Sequence, residues 1–224
     1  MLYSVEELKT AIRVALDQNM TSEQLFETDD IDTLSLEEII ESKIADAARI
    51  VENGAPRHLL DGGKNFGDSI SWDSAVGYGS GRILLPEDFM RLVSFQMSDW
   101  ARPCTVAITE DEPLYAAQSS RFPGVRGNPQ KPVVAVSMQP AGAVLEFFSC
   151  TQGPAVYVKR ATYLPYPVIE DGSIDLCPKL HRAIVYYAAH LVAAEVGDAN
   201  GATALLNISN ELMKWQSWNL NYAV

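Results

Sequence analysis

The sequence has few cysteines and no long apolar run, and each shortage argues against a class of protein. Its 3 cysteines (Cys104, Cys150 and Cys177) are an odd number without a C-x-x-C pair, which argues against a disulfide framework and favours a reducing compartment. No run of 18 apolar residues occurs, and Glu6 and Glu7 stand where a signal peptide would be basic. We therefore expect neither a membrane span nor a signal peptide.

Histidine is also scarce, and the 3 histidines do not form a catalytic or metal-binding set. His181 and His190 are nine residues apart on one predicted helix, which places them on opposite faces. Cys177 and His181 have a zinc-compatible i, i+4 spacing, but no second Cys or His pair accompanies them. The chain has no G-x-S-x-G motif, and its glycines at 77–81 precede a strand instead of opening a helix. We expect no catalytic residue, no metal and no cofactor.

Acidic residues are abundant and unevenly placed. The net charge is -12, and residues 1–54 hold 13 acidic against 4 basic side chains, whereas the rest hold 16 against 13. The longest basic cluster is the pair Lys159 and Arg160. Because many phosphates cannot be neutralised by such a chain, we do not expect it to bind nucleic acid directly.

Helices are predicted at both ends of the chain. Ser4 with Glu7 and Ser35 with Glu38 match the capping-box pattern, and each precedes an apolar stripe with helical spacing. These two helices should end near Gln18 and at residues 53–54. At the other end, one helix should begin around residues 175–178 and stop at residue 197, and another should begin near residues 200–201.

The middle of the chain alternates like half-buried strands. Five strands are predicted, at residues 82–85, 91–97, 133–139, 143–149 and 156–163, with a hairpin turn at residues 140–142. The fold class is therefore α+β: a helical bundle of two N-terminal and two C-terminal helices with an inserted, mainly antiparallel β-region. The predicted divisions are 1–54 (N-terminal helices), 55–81 (glycine-rich connector), 82–170 (β-region) and 171–224 (C-terminal helices and an aromatic tail).

Two segments are not readily explained as parts of the hydrophobic core of a single chain, and they are candidates for contacting other subunits or partners. One is the long loop 110–131, because loops of about 20 residues are uncommon unless they are functional or disordered. The other is the aromatic tail, residues 215–224, which is more apolar than a solvated terminus. The candidate contact residues are Tyr115, Arg121, Phe122, Arg126, Trp215, Trp218, Leu220 and Tyr222.

The order and spacing of five segments between residues 83 and 212 resemble the head-to-tail adaptor proteins of short-tailed bacteriophages, which include the gatekeeper or tail tubular protein A. The segments are LPEDFMRLVSFQMSDWARP, GNPQKPVVAV, LEFFSC, VKRATYLPYP and DLCPKLHRAIVYYAAHLVAAEVGDANGATALLNISNEL. The N-terminal residues and the glycine-rich segment depart from the family. This departure makes the chain a candidate for one of several stacked ring proteins in a large phage rather than for the portal-contacting one.

This resemblance implies a virion protein at the head-tail junction, made in the host cytoplasm and without catalytic activity. It implies a homo-oligomeric ring of twelve copies that binds the portal and other tail or ring proteins. DNA would pass through its channel without sequence-specific binding, and negative charge there would leave the polymer free to slide. The alternative from the residues alone is a monomeric α+β module that binds a ligand or a protein, with the sheet face as its site. A hydrolase using one of the histidines ranks third.

Overall fold

The computed structural model describes residues 1–16, 35–67, 69–73, 79–151 and 156–220, with the backbone alone for 215–220. The helices are α1 Val5–Ala15, α2 Leu36–Gly54, α3 Pro113–Ala117, α4 His181–Glu195 and α5 Ala199–Leu220. The strands are β1 Leu2–Ser4, β2 Lys64–Asn65, β3 Ser71–Trp72, β4 Gly79–Leu84, β5 Phe89–Met97, β6 Ile108–Thr109, β7 Val134–Gln139, β8 Gly142–Cys150, β9 Val158–Pro165, β10 Ile169–Glu170 and β11 Ser173–Asp175.

The chain forms two compact units, and one is inserted into the other. The helical unit comprises Met1–Asp61 and Pro167–Val224, and the β-unit comprises Gly62–Tyr166. This arrangement confirms the predicted α+β fold of helices with an inserted, mainly antiparallel β-region. The boundaries differ from those predicted: the β-unit begins at Gly62, because β2, β3 and the start of β4 come from the segment interpreted as a connector. Strands of two residues are too short to show a period.

Helix α4 is the centre of the helical unit and packs against α1, α2 and α5. Its Ala188 and Ala189 are completely buried, and such small side chains allow neighbouring helices to approach closely. Ile40 and Ile44 of α2, both fully buried, belong to the predicted apolar stripe. The unit also contains a small antiparallel sheet of β1, β11 and β10, which the sequence did not predict.

Only one of the two predicted capping boxes is present. At α2, the Ser35 N–H donates to the Glu38 carboxylate at 2.8 Å and the Glu38 N–H donates to the Ser35 hydroxyl at 3.4 Å, as predicted. At α1, Ser4 occupies the N-cap position but makes no capping hydrogen bond with its side chain, so the prediction was wrong there. Ser4 ends β1, and the Val5 N–H donates to the Gly172 carbonyl at 2.9 Å. This bond satisfies the N–H of Val5, which is a different amide donor from the Glu7 N–H that a Ser4 cap would have satisfied.

This difference gives a matched pair of substitutions. We expect Ser35→Ala to lower the free energy of unfolding by about 1 kcal/mol, because the Glu38 N–H at the start of α2 loses its hydroxyl acceptor. Ser4→Ala should change it by only a few tenths of a kcal/mol. Urea denaturation followed by circular dichroism measures both values. Equal losses in the two variants would contradict the assignment of the cap to Ser35 alone.

The β-unit contains two sheets that share one apolar core. The sheet orders are β2-β9-β5 and β3-β4-β8-β7-β6, and all described pairings are antiparallel except that of β6 with β7. Gln139 pairs with Gly142, so the predicted hairpin is present with a tight turn at Pro140 and Ala141. The core includes Phe66, Leu92, Phe95, Met97, Leu145, Phe147 and Tyr163.

Candidate functional site: the excursion of the β-unit

Residues 110–131, here called the excursion, form an ordered structure that covers part of the β-unit. The acidic run at its start is exposed, and Glu112 is the N-cap of α3. The Glu112 carboxylate accepts a hydrogen bond from the Thr109 N–H at 3.0 Å, and Pro113 occupies the first turn. After α3 the chain continues in turns to Lys131.

Gln118 and Gly127 hold the two sides of the excursion together at its base. The Gln118 side chain, 1% exposed, accepts from the Gly127 N–H and donates to the Leu114 carbonyl, both at 2.8 Å. A Cβ on Gly127 would lie 2.2 Å from the Ser149 hydroxyl and 3.1 Å from the Val133 nitrogen. Only glycine fits this close approach of the excursion to the sheet.

Tyr115 attaches α3 to the outer face of the five-stranded sheet, opposite the core. Its hydroxyl donates to the Glu146 carboxylate at 2.9 Å, and its ring meets the edge of Phe148 at 6.1 Å between centroids. Desolvation, followed by the hydrogen bond to Glu146, raises the pKa of Tyr115 to about 12. Tyr115 therefore stays a neutral hydrogen-bond donor throughout the physiological pH range.

Glu146 is the polar centre of this face. Besides the Tyr115 bond, its other carboxylate oxygen accepts from the Ser137 hydroxyl at 2.9 Å and from the Gln139 amide at 3.2 Å. Arg82 lies opposite Glu146 in the strand register, and its guanidinium donates to the Gln139 side chain at 3.1 Å. Hydrogen bonds to a carboxylate are among the stronger ones, so this network fixes the position of α3.

The far end of the excursion, here called the tip, consists of Arg121, Phe122 and Val125. Phe122 is 58% exposed and Val125 is 53% exposed. The Arg121 guanidinium carbon lies 5.0 Å from the centroid of the Phe122 ring, which is a cation-π distance. Phe122 is held by a turn, since its carbonyl accepts from the N–H groups of Val125 and Arg126 at 3.0 and 3.2 Å. The tip is thus an ordered display of apolar surface beside a positive charge.

The predicted contact residues fall into three groups. Arg121 and Phe122 lie together at the exposed tip. Tyr115 binds Glu146, and Arg126 donates to the carbonyls of Phe148 and Gly127 at 3.1 and 3.2 Å, so these two bind their own unit. Trp215, Trp218 and Leu220 are on α5, which extends through the start of the predicted tail, but their side chains lie outside the described residues, as does all of Tyr222.

Sequence reasoning missed the residues that order the excursion, notably Gln118, Glu146 and Asn128. Asn128 donates to the Pro123 carbonyl at 2.9 Å and accepts from the N–H groups of Gln130 and Lys131. The one signal for Glu146 was a lone carboxylate in the alternating strand of residues 142–150. Its partners are 7 to 31 residues away in sequence, so they follow from strand register and not from spacing.

A cavity of about 450 Å³ opens beside this network in the β-unit. Ser80 is 5% exposed, and its hydroxyl has no hydrogen-bond partner among the residues that the structure describes. The volume is within the range of small-molecule sites, and the charged groups around it have both signs. Its lining residues are Ser71, Trp72, Asp73, Ser80, Gly81, Arg82, Glu146 and Phe148.

The cysteines are buried, and His181 and His190 contact different residues. All three cysteines are buried, which raises the pKa of Cys104, Cys150 and Cys177 to about 12. The His181 ring stacks on Tyr3 at 4.5 Å, whereas Nδ1 of His190 lies 2.8 Å from the Ala202 carbonyl oxygen. Within the described ranges, no three His, Cys, Asp or Glu side chains are placed to hold a metal ion.

Among the described residues, none of the helices combines the length and apolar character that crossing a membrane requires.

No protein-family model and no curated protein matches the chain. The tip and the cavity are the two features from which a function is inferred.

Proposed function

We propose that this protein is a ring-forming structural subunit of a short-tailed bacteriophage virion. It acts as a head-to-tail adaptor that joins the portal to the tail and frames the channel through which DNA passes, and it is not an enzyme. The order of segments between residues 83 and 212 supports the proposal from the sequence. From the structure, it is supported by one observation above all, the ordered excursion that presents Phe122 and Val125 to solvent.

Ordering the excursion lowers the conformational entropy of the chain, although its apolar tip stays exposed to solvent, and this favours a tip that contacts a partner. Fixing each backbone residue costs about 1–2 kcal/mol of conformational entropy, and exposed apolar side chains return none of it through burial. At the base of the excursion, Gln118 and Gly127 supply hydrogen bonds and close packing that maintain the order. Aromatic residues and arginine are the types enriched in protein interfaces, and both stand at the tip. These features favour a subunit whose function is assembly.

The charge of the chain fits a passage for DNA better than a binding site for it. With a net charge of -12, the protein would repel the phosphate backbone and leave the DNA free to slide during packaging and ejection. In this proposal, the partners are further copies of the chain, the portal protein and other tail or ring proteins. The ring forms after synthesis in the host cytoplasm and becomes part of the virion.

The size of the purified protein tests this proposal. Native mass spectrometry over a range of micromolar concentrations should detect one closed species of about twelve copies, because heterologous contacts that close on themselves give rings. Negative-stain images should show a ring with a central channel. A chain that remains monomeric throughout this range, both alone and mixed with portal-bearing phage heads, would contradict the proposal.

The cavity beside Glu146 favours a second candidate, a monomeric α+β module that binds a small polar ligand. The observation behind it is the combination of about 450 Å³ of space with Ser80, Arg82 and Glu146 at the wall. The same measurements, made on the chain alone and with portal-bearing phage heads, separate the two functions, since a binding module would be monomeric in both. Thermal-shift screening with small amino acids and sugars would then detect its ligand as a rise in Tm.

A further inference from the structure

A second exposed apolar surface lies on the helical unit, between one face of α2 and the segment leading into β10. It is a groove with a volume of about 570 Å³. Residues 38, 41 and 45 are at helical spacing and therefore share a face of α2. We call this surface the groove and define it by Glu38, Glu41, Ala45, Pro167, Val168 and Ile169.

The floor of the groove is apolar and open to solvent. Val168 is 57% exposed, and its neighbours in sequence, Pro167 and Ile169, also line the groove. An exposed valine between two further apolar residues is surface that a partner would remove from water at a gain of about 25 cal/mol per Å². The residues that the structure describes therefore leave Val168 open to solvent.

The rim of the groove is acidic. Glu38 carries a negative charge at neutral pH like any exposed glutamate, and its hydrogen bonds with the Ser35 backbone and hydroxyl lower its pKa further. Glu41 binds Lys9 at 2.5 Å through one carboxylate oxygen, and Lys9 also binds Glu6 at 3.0 Å, so this small group of side chains is negative as a whole. A partner with a positive charge beside an apolar side chain would be complementary.

The tip of the excursion has this complementary chemistry. Residues 119–131 carry three basic side chains, Arg121, Arg126 and Lys131, and no acidic one. Arg121 lies against the Phe122 ring, so a positive charge accompanies the aromatic side chain wherever it docks. The groove volume is larger than a phenylalanine side chain, which leaves room for Val125 as well.

We infer that the tip of one copy of this chain docks in the groove of a second copy, with Phe122 on the apolar floor and Arg121 at the acidic rim. This inference rests on the proposed ring function and names the surfaces that join its subunits. Two different surfaces meet in such a contact, so it is heterologous and can continue from copy to copy until a ring closes. A second copy is the occupant indicated, because one chain carries both complementary surfaces, and Phe122 and Val168 are each more than half exposed among the described residues.

Disulfide trapping between two variants tests the contact. Phe122→Cys and Val168→Cys are purified separately, one with a mass tag, then mixed and oxidised. Mixing makes every tagged-to-untagged cross-link intermolecular. The native thiols are shielded from a second chain, because Cys104, Cys150 and Cys177 are all buried. The matched control is Val106→Cys mixed with Val168→Cys, since Val106 is 75% exposed and lies in the β-unit outside the excursion.

The expected result is a tagged-to-untagged dimer that forms several times faster from the Phe122 and Val168 pair than from the control pair. Equal rates would overturn the docking inference. The unmodified chain, measured by native mass spectrometry in the same series, separates the two proposals. A ring without preferential cross-linking refutes the docked surfaces alone, whereas a chain that stays monomeric both alone and with portal-bearing phage heads refutes the proposed function together with them.

A second measurement uses association strength. Phe122→Ala should weaken self-association by about 30-fold or more, the size typical of an aromatic interface residue. Arg121→Glu should also weaken it, and more strongly at low salt than at high salt, because the lost attraction and the new repulsion are both screened by ions. Val106→Ala is the control and should leave the association constant unchanged. A Phe122→Ala variant that associates like the control would overturn the inference.

Discussion

Replacing Phe147 with alanine should lower the free energy of unfolding of the β-unit by about 3–5 kcal/mol. Phe147 is fully buried, stacks with Phe95 at 5.9 Å between ring centroids, and receives the edge of Trp72 at 5.5 Å. Gly81 leaves space for it, since a Cβ there would lie 2.8 Å from the tip of the Phe147 ring. Such close surroundings cannot collapse readily into the space left by the ring, so we expect a loss near the upper end of the range.

Hydrogen exchange with mass spectrometry measures this loss where it occurs. Peptides from β4, β8 and β9 should exchange faster in Phe147→Ala, because global opening of the unit becomes more frequent. The matched control is Phe122→Ala, which removes the same side chain from an exposed site and should change the free energy of unfolding by about 0.5 kcal/mol or less. A loss below about 1 kcal/mol for Phe147→Ala would contradict the assignment of Phe147 to the core.

The second large effect is expected in the helical unit, where Ile44→Ala should cost about 2–5 kcal/mol. Ile44 is 1% exposed and lies on the stripe of α2 that packs in the unit whose centre is α4. Ile50→Ala is the control on the same helix, since Ile50 is 41% exposed and should cost far less. Urea denaturation followed by circular dichroism compares the two variants. Similar urea midpoints would contradict the assignment of Ile44 to the buried face of α2.

Much of this fold was predictable because helical stripes and strand alternation are local patterns. Ile40, Ile44 and Val51 mark α2 by spacing alone, and the turn at residues 140–142 marks the hairpin. The errors came where distant partners decide the local structure. Ser4 has the sequence of a helix cap, but it ends β1, which pairs with β11 more than 160 residues away, and its side chain makes no capping hydrogen bond.

The candidate site was predictable in outline and not in detail. The length and aromatic content of residues 110–131 marked the excursion, and Phe122 and Arg121 do lie at its exposed end. Spacing could not show that Tyr115 binds Glu146, because that contact depends on the register of β8. The groove was not predictable at all, since residues 38–45 and 167–169 meet only after the β-unit has been inserted between them.

The central position of α4 has a consequence for the order of folding during synthesis. The ribosome makes α1 and α2 first, then all of Gly62–Tyr166, and only afterwards the helix on which α1 and α2 pack. The β-unit, whose contacts lie within one continuous stretch of chain, can therefore fold while the N-terminal helices still expose their apolar stripes. We expect the nascent chain to need protection from aggregation until residue 195 has left the ribosome, because exposed apolar surface on incomplete chains is prone to aggregate.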